Sequence, residues 1–215
     1  MSANRQFLLC RHPQGEPVSS DFVLVGTAIP SPETGSFVVR NHFVSLDPAQ
    51  RGYMDDVPSY MPPMPLCAAV TATTVGRVHA SANPEFVDGE TLAAEISAAA
   101  PKGVGGNVLD AALMNLGMRA GVLLCGLISE YNTPDSKGGA ANIWQLIVKR
   151  ATMTGFLIAD YAPRFSEGGA WVSARIGKGR IRIDEDIVEG IKNAYAAFMQ
   201  LLSGANSGKL ILRLA

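Results

Sequence analysis

Two neighbouring stretches decide the fold: Val104-Gly-Gly-Asn-Val-Leu-Asp110 and Leu123-Leu-Cys-Gly-Leu-Ile-Ser-Glu-Tyr-Asn132. In the first, a glycine pair opens a helical run over residues 107–116, because Val108, Leu109, Ala112 and Leu113 fall on one stripe. In the second, a buried apolar strand over residues 120–128 runs into Gly126, Ser129, Tyr131 and Asn132. Open α/β sheets bind ligands just beyond the carboxyl ends of their strands, which is where these polar residues would sit. The order reads as the second half of a doubly wound domain. Its first half, which should carry a glycine-rich phosphate loop, has no counterpart in the chain.

Working outward, residues 1–90 read as β-rich. Arg5–Cys10, Phe22–Val25, Ser36–Ser45 and Thr74–His79 are short apolar or alternating runs, punctuated by Pro13, Gly15, Pro17, Pro30, Pro32 and Gly35. Pro58-Ser-Tyr-Met-Pro-Pro-Met-Pro65 is too rich in proline for a helix or a central strand and reads as an extended loop. Residues 91–178 alternate helix and strand. Thr91–Ala100 is a good helix former stopped by Pro101 and Gly103, Ile143–Lys149 is helical, Met153–Ile158 is a second strand, and Phe165–Ile176 a further helix. Residues 179–215 return to β-type sequence: strands at Arg180–Ile183 and Lys209–Arg213 flank a short helix at Asn193–Leu202. The expected architecture is α/β, with one module inserted into another.

Composition narrows the function. A chain of 215 residues, 47% apolar and 17% charged, is globular, and a formal net charge of −1 offers no basic field for nucleic acid or an anionic membrane. No apolar run has the length of a membrane-spanning helix, and the first residues lack the pattern of a secretory signal, so a cytoplasmic protein is expected. Cys10, Cys67 and Cys125 are isolated, as are His12, His42 and His79, and no pair has metal-ligand spacing. The expected metal content is none.

No G-x-G-x-x-G occurs: Gly103-Val-Gly105 begins one, but Val108 takes the third glycine position. Gly204-Ala-Asn-Ser-Gly-Lys209 is one spacer short of a Walker loop and ends in Leu210. Tyr131 and Asn132 can both hydrogen-bond a polar ligand, yet spacing alone favours a strand-ending turn, with Asn132, Pro134 and Asp135 as turn formers. Ser129 and Cys125 lack a neighbouring histidine or an elbow motif. Asp184, Glu185, Asp186 and Glu189 read as a solvated face rather than an acid–base pair.

A series of short motifs adds a resemblance. Asn4-Arg-Gln6, Gly15-Glu-Pro17, Val39-Arg-Asn41, Leu46-Asp-Pro-x-x-Arg-Gly52 and Ser59-Tyr-x-Pro-Pro63 lie in the N-terminal part, with Thr74-Val-Gly-Arg-Val78. Val104-Gly-Gly-x-Val-Leu-Asp110, Cys125-Gly-x-Ile-Ser-x-Tyr-Asn132 and Gly155-Phe-Leu-x-x-Asp-Tyr161 follow, then Glu185-Asp-Ile-Val-Glu-Gly190 and Asn206-x-Gly-Lys209. In this order they resemble the zinc-independent medium-chain dehydrogenases/reductases, in the branch of prostaglandin and leukotriene reductases and alkenal double-bond reductases.

The resemblance implies a GroES-like substrate domain built from both chain ends (residues 1–90 and 179–215) and a partial Rossmann cofactor domain between them (91–178). It implies NADPH as cofactor, an enal or enone as substrate, and a homodimer. Tyr131 is implied as the catalytic hydroxyl near the enolate. Cys125, Gly126, Ser129, Tyr131, Gly155, Phe156, Leu157, Asn206 and Gly208 would contact the cofactor, and Tyr60 would line the substrate pocket. The departures are concentrated. Between Gly89 and Pro101 the remainder of the substrate domain and the first Rossmann half are missing, and a strand is missing before Val104. Ala49 and Gln50 stand where a Tyr-Met pair is usual, and Cys67-Ala-Ala69 replaces a Gly-Glu-Val type stretch. Either the sequence omits residues of a longer reductase, or a shortened chain persists as a non-catalytic, oligomeric binding module.

Overall fold

The computed structural model describes residues 3–57, 61–84, 91–93, 105–132 and 140–214. The chain runs β1 (Asn4–Leu9), β2 (Phe22–Thr27), β3 (Phe37–Ser45), α1 (Ala49–Tyr53), β4 (Ala68–Ala69), β5 (Thr74–Ser81) and β6 (Thr91–Ala93). It continues through α2 (Gly106–Met114), β7 (Gly121–Leu124), α3 (Gln145–Lys149), β8 (Thr152–Gly155) and α4 (Phe165–Gly177). It closes with β9 (Glu185–Glu189), α5 (Ala194–Ser203) and β10 (Lys209–Arg213). Two compact units result: Met1–Ser97 with Glu185–Ala215, and Ala98–Asp184.

The first unit holds two sheets. One is antiparallel, in the order β2-β1-β4; the other runs β6-β5-β3-β10-β9, with β9 parallel to β10 and the remaining pairs antiparallel. β3 and β5 approach unusually closely at Gly76, where a Cβ would collide with the Arg40 carbonyl and the Val39 side chain. Glycine is needed there for space rather than for backbone freedom.

The C-terminal helix α5 explains why the chain end returns to this unit. Phe198 joins Leu9, Phe22, Met54 and Met64 in one buried cluster, while Ala197 joins Leu46 and Leu210 in a second, and Leu201 packs against both. Consecutive helical residues thus seal two patches of the N-terminal β-structure. Complete burial of a side chain such as Leu9 or Leu210 contributes roughly 2 kcal/mol.

Polar latches complete the unit. Arg51, the largest fully buried side chain, donates from Nε (3.2 Å) and Nη2 (2.7 Å) to the Gly15 carbonyl and pairs with Asp55 at 2.5 Å. The motifs Gly15-Glu-Pro17 and Leu46-Asp-Pro-x-x-Arg-Gly52 are therefore two halves of one contact. Gln50, also buried, accepts the Asp47 N–H (2.9 Å) and donates to the Thr71 carbonyl (2.9 Å). A methionine at this position could do neither, which gives the departure at Gln50 a structural reason.

Three expectations are corrected. Thr91–Ala93 is a strand, not the start of a helix, because its backbone pairs with Val75–Arg77; ladder bonds override helix propensity. Arg180–Ile183 forms no strand, and the neighbouring acidic segment Glu185–Glu189 does, because it lies parallel beside β10. The strand expected over 120–128 is limited to Gly121–Leu124 and is not buried: Leu123 is 72% exposed. Among the described residues β7 has one partner, β8, so much of its surface lacks cover. Phe165–Ile176 is helical as expected.

Candidate active site

In the second unit β7 and β8 run parallel, pairing Gly121 with Thr152 through to Leu124 with Gly155. The ladder continues one step further, with the Phe156 N–H on the Leu124 carbonyl at 3.0 Å. Parallel register brings the two carboxyl ends together. Cys125 and Gly126 leave one strand beside Phe156 and Leu157 leaving the other.

Past Leu124 the chain turns through a 3-10 segment at Ile128–Glu130, closed by Glu130 N–H to the Leu127 carbonyl (2.8 Å) and Tyr131 N–H to the Ile128 carbonyl (3.3 Å). The Tyr131 hydroxyl returns across this turn and accepts the Leu127 N–H at 3.3 Å. Tyr131 and Asn132 are half-buried, whereas Cys125 and Ser129 are exposed.

The glycine pair supports this turn from below. Gly105 (φ 73°, ψ −157°) and Gly106 (φ 48°) both take left-handed φ values. A Cβ on Gly105 would meet Leu127 Cδ2 at 2.9 Å, Ser129 Oγ at 3.1 Å and Glu130 Oε1 at 3.3 Å; on Gly106 it would meet Ser129 Oγ at 3.0 Å. Asp110, one turn along α2, accepts the Asn142 N–H at 3.1 Å and so ties α2 to the segment before α3. On the far side of β8, the Phe156 and Tyr161 rings lie 5.0 Å apart.

Asn206 and Gly208 belong to the first unit, in the turn between α5 and β10. Asn206 Nδ2 donates to the Gly208 carbonyl at 2.8 Å. The Asp186 carboxylate accepts the backbone N–H groups of Ser207 (2.6 Å) and Gly208 (3.2 Å), and the Ser207 hydroxyl at 3.2 Å. Lys209 donates to the Leu46 carbonyl at 3.0 Å and pairs with Asp47, which also accepts the Ser45 hydroxyl at 2.6 Å.

The structure therefore gathers Cys125, Gly126, Ser129, Tyr131, Gly155, Phe156 and Leu157 at one end of the two-stranded sheet, and Asn206 with Gly208 in one turn of the other unit. Tyr60 lies outside the described residues. Asp186, read from the sequence as a solvated acid, is instead a hydrogen-bond anchor. Among the described residues no group of His, Cys, Asp and Glu could hold a metal ion, and no helix is long and apolar enough to cross a membrane.

The hydrogen bonds to Asp186 also predict a titration. The backbone N–H groups of Gly208 and Ser207 stabilise the charged form and hold its carboxyl below the ordinary 3.8. A lowered folded value contributes stability above the unfolded pKa, which is lost as pH falls through the lowered value. Carboxyl-carbon NMR should find the Asp186 midpoint below 3.8. A midpoint at or above that value would show these bonds to be absent in solution.

Residues 5–103 match the family described as the N-terminal domain of oxidoreductase. Across 99% of its length the chain is similar to an NADPH-dependent curcumin reductase of Escherichia coli, 24% identical and spanning 97% of that protein. It superimposes on the crystal structure of CurA in complex with NADPH from Vibrio vulnificus with a TM-score of 0.85, at 25% identity and with 99% of each chain covered. These similarities support a zinc-independent, NADP-dependent oxidoreductase of the medium-chain type. The mixed α/β fold, with a GroES-like N-terminal domain, matches that of CurA. Over a shorter span of 109 residues it is 37% identical to a 2-alkenal reductase (NADP(+)-dependent) of Nicotiana tabacum, covering 51% of this chain and 32% of that one. The curcumin reductase alignment has 335 positions against a chain of 215 residues, so about 120 positions of the relative have no counterpart here.

Proposed function

We propose that the protein is an NADPH-dependent reductase of carbon–carbon double bonds conjugated to a carbonyl, acting on small enals or enones. The observation that carries this reading is the meeting of Cys125–Tyr131 with Gly155–Leu157 at the carboxyl ends of two parallel strands. The full-length similarity to the curcumin reductase and to CurA supports it. A homodimer and a cytoplasmic location belong to the same reading, as does a Rossmann-type cofactor domain.

The residues fit one end of the cofactor. A Cβ on Gly155 would meet nothing within 4 Å, so the backbone edge there is open to a flat ring. Cys125, Gly126 and Ser129 would contact it as well, and the family resemblance implies Asn206 as a further cofactor contact. When bound, NADPH supplies the hydride that goes to the β-carbon. As that bond forms, negative charge gathers on the carbonyl oxygen, and a placed donor lowers the barrier. Tyr131 is suited to donate: accepting the Leu127 N–H orients its hydroxyl and polarises its own O–H. The phosphate end is different. Pyrophosphates are held by a glycine loop at a helix N-terminus, and the sequence has no such loop. Cofactor binding by this chain should accordingly be weak, because the remaining contacts alone must offset an association cost of several kcal/mol.

NADPH fluorescence titration and NADPH oxidation with a simple enone test the reading together. Neither binding nor turnover from a chain whose measured mass is near 22.7 kDa would refute it. Tyr131→Phe should slow turnover by roughly 100- to 1000-fold, the worth of one transition-state donor, while weakening NADPH binding far less, because the enolate charge develops only in the transition state. Equal losses in both would remove the enolate role.

A second reading has its own observation. Leu123, Trp144 and Ile147 are exposed on the second unit, Ile147 to 79%, beside a two-stranded sheet. Apolar surface of this kind marks association, as expected for a non-catalytic, oligomeric binding module. That reading predicts a stable oligomer by light scattering and no cofactor affinity.

A further inference from the structure

We propose that Asp186 is a positioning residue for Asn206, fixing through the backbone of Ser207 and Gly208 the turn that presents the Asn206 side chain to the cofactor. The inference rests on the reading of Asn206 as a cofactor contact and goes beyond it, since Asp186 lies in a different strand and touches no cofactor in that reading.

The geometry is specific. Asn206, Ser207 and Gly208 form the turn between α5 and β10. Here two successive N–H groups and a hydroxyl converge on one carboxylate, at 2.6, 3.2 and 3.2 Å. Charge-assisted bonds of this type are about twice as strong as neutral ones. Asp186 is itself held by the parallel ladder, opposite Leu210 of β10, so the anchor is rigid. The next residue along, Lys209, is clamped by Leu46 and Asp47. The chain is thereby held from Ser207 to Lys209, directly after Asn206.

Asn206 benefits directly. Its Nδ2 donates to the Gly208 carbonyl, and because that partner can only accept, the atom facing it must be the nitrogen. The amide plane is then set, and Oδ1 with the second amide hydrogen is offered in one orientation. Gly208 takes part in the same support: its N–H is held by Asp186 and its carbonyl accepts from Asn206. Without Asp186, two backbone donors and a hydroxyl lose their common acceptor, and the Asn206 amide loses its fixed plane.

The test is a cycle of Asp186→Ala, Asn206→Ala and the double variant in the full chain. Each single variant should weaken NADPH binding by roughly three- to ten-fold, the worth of one hydrogen-bonded contact. The double variant should be no weaker than Asn206→Ala alone, because Asp186 acts through Asn206. The KM for NADPH should rise with kcat little changed, and Asp186→Glu should restore part of the loss, which general destabilisation would not do. Additive losses, or a normal affinity in Asp186→Ala, overturn the proposal. If the unmodified chain binds no NADPH, the functional reading fails on its own. The positioning claim is then decided by NMR: the Asn206 side-chain amide should broaden or shift in Asp186→Ala, and an unchanged amide overturns the claim.

Discussion

Replacing Arg51 by alanine is expected to lower the free energy of unfolding by about 3–5 kcal/mol, combining a large core cavity with the loss of the hydrogen bonds to the Gly15 carbonyl. The guanidinium is 2% exposed and grips the Gly15 carbonyl with two donors while its third side faces Asp55. Asp55 is 39% exposed and can be rehydrated when the arginine is lost. The Gly15 carbonyl loses both of its arginine donors, and the loop it belongs to is also held by Tyr195 on the Pro17 carbonyl at 3.2 Å and by His12 against the Met54 carbonyl at 2.7 Å. Arg51→Lys should recover only part of the loss, because a single ammonium cannot reproduce the planar fork. Both tryptophans, Trp144 and Trp171, lie in the second unit. The loss should therefore be followed by far-ultraviolet circular dichroism and by hydrogen exchange of β1 and α5 amides. An Arg51→Ala chain with the unfolding midpoint of the parent would show the latch to be dispensable.

The same latch shows how much could be read in advance. β1, β2, β3, β5 and β10 are legible because apolar residues alternate or run between prolines and glycines, and the α5 stripe is legible from its period. What sequence hides is partner choice. Thr91–Ala93 carries the start of a good helical pattern, yet lies in a ladder with β5. Glu185–Glu189 is rich in poor strand formers, yet pairs with β10 at the sheet edge, where charged residues discourage further pairing. The candidate site divides in the same way. Cys125 to Tyr131 and Gly155 to Leu157 lie in motifs 30 residues apart in sequence, and only parallel pairing puts them side by side. Arg51 and Gly15 stood in two separate motifs with nothing to announce that one holds the other. Gln50 was noted as a departure and Asp186 as a solvated acid, because a hydrogen-bond partner distant in sequence leaves no local trace.

Gly105→Ala is the second substitution expected to have a large effect, and it acts on the candidate site itself. At φ 73° and ψ −157° the residue occupies a region that is essentially restricted to glycine. An alanine there carries about 1–3 kcal/mol of backbone strain. Its methyl would also press on Leu127 Cδ2 at 2.9 Å and Ser129 Oγ at 3.1 Å. Relief requires either the N-terminus of α2 or the turn at Ile128–Glu130 to move. That turn carries the Leu127 N–H that orients Tyr131, so local strain becomes loss of the donor's placement. In the proposed reductase, displacement of reacting groups by about 1 Å costs on the order of 100-fold in rate. Gly106→Ala provides the contrast: its φ of 48° is also positive, but a methyl there would meet the Ser129 side chain alone, with Oγ at 3.0 Å. Gly105→Ala should therefore destabilise the second unit more than Gly106→Ala, read by tryptophan fluorescence during urea unfolding, and should abolish most turnover. Serine at position 129 shortened to glycine, as Ser129→Gly, should recover more of the Gly106→Ala loss than of the Gly105→Ala loss, since only the latter also meets Leu127 and Glu130. Equal recovery in both would mean that contact with Ser129, and not the backbone conformation, makes this glycine pair necessary.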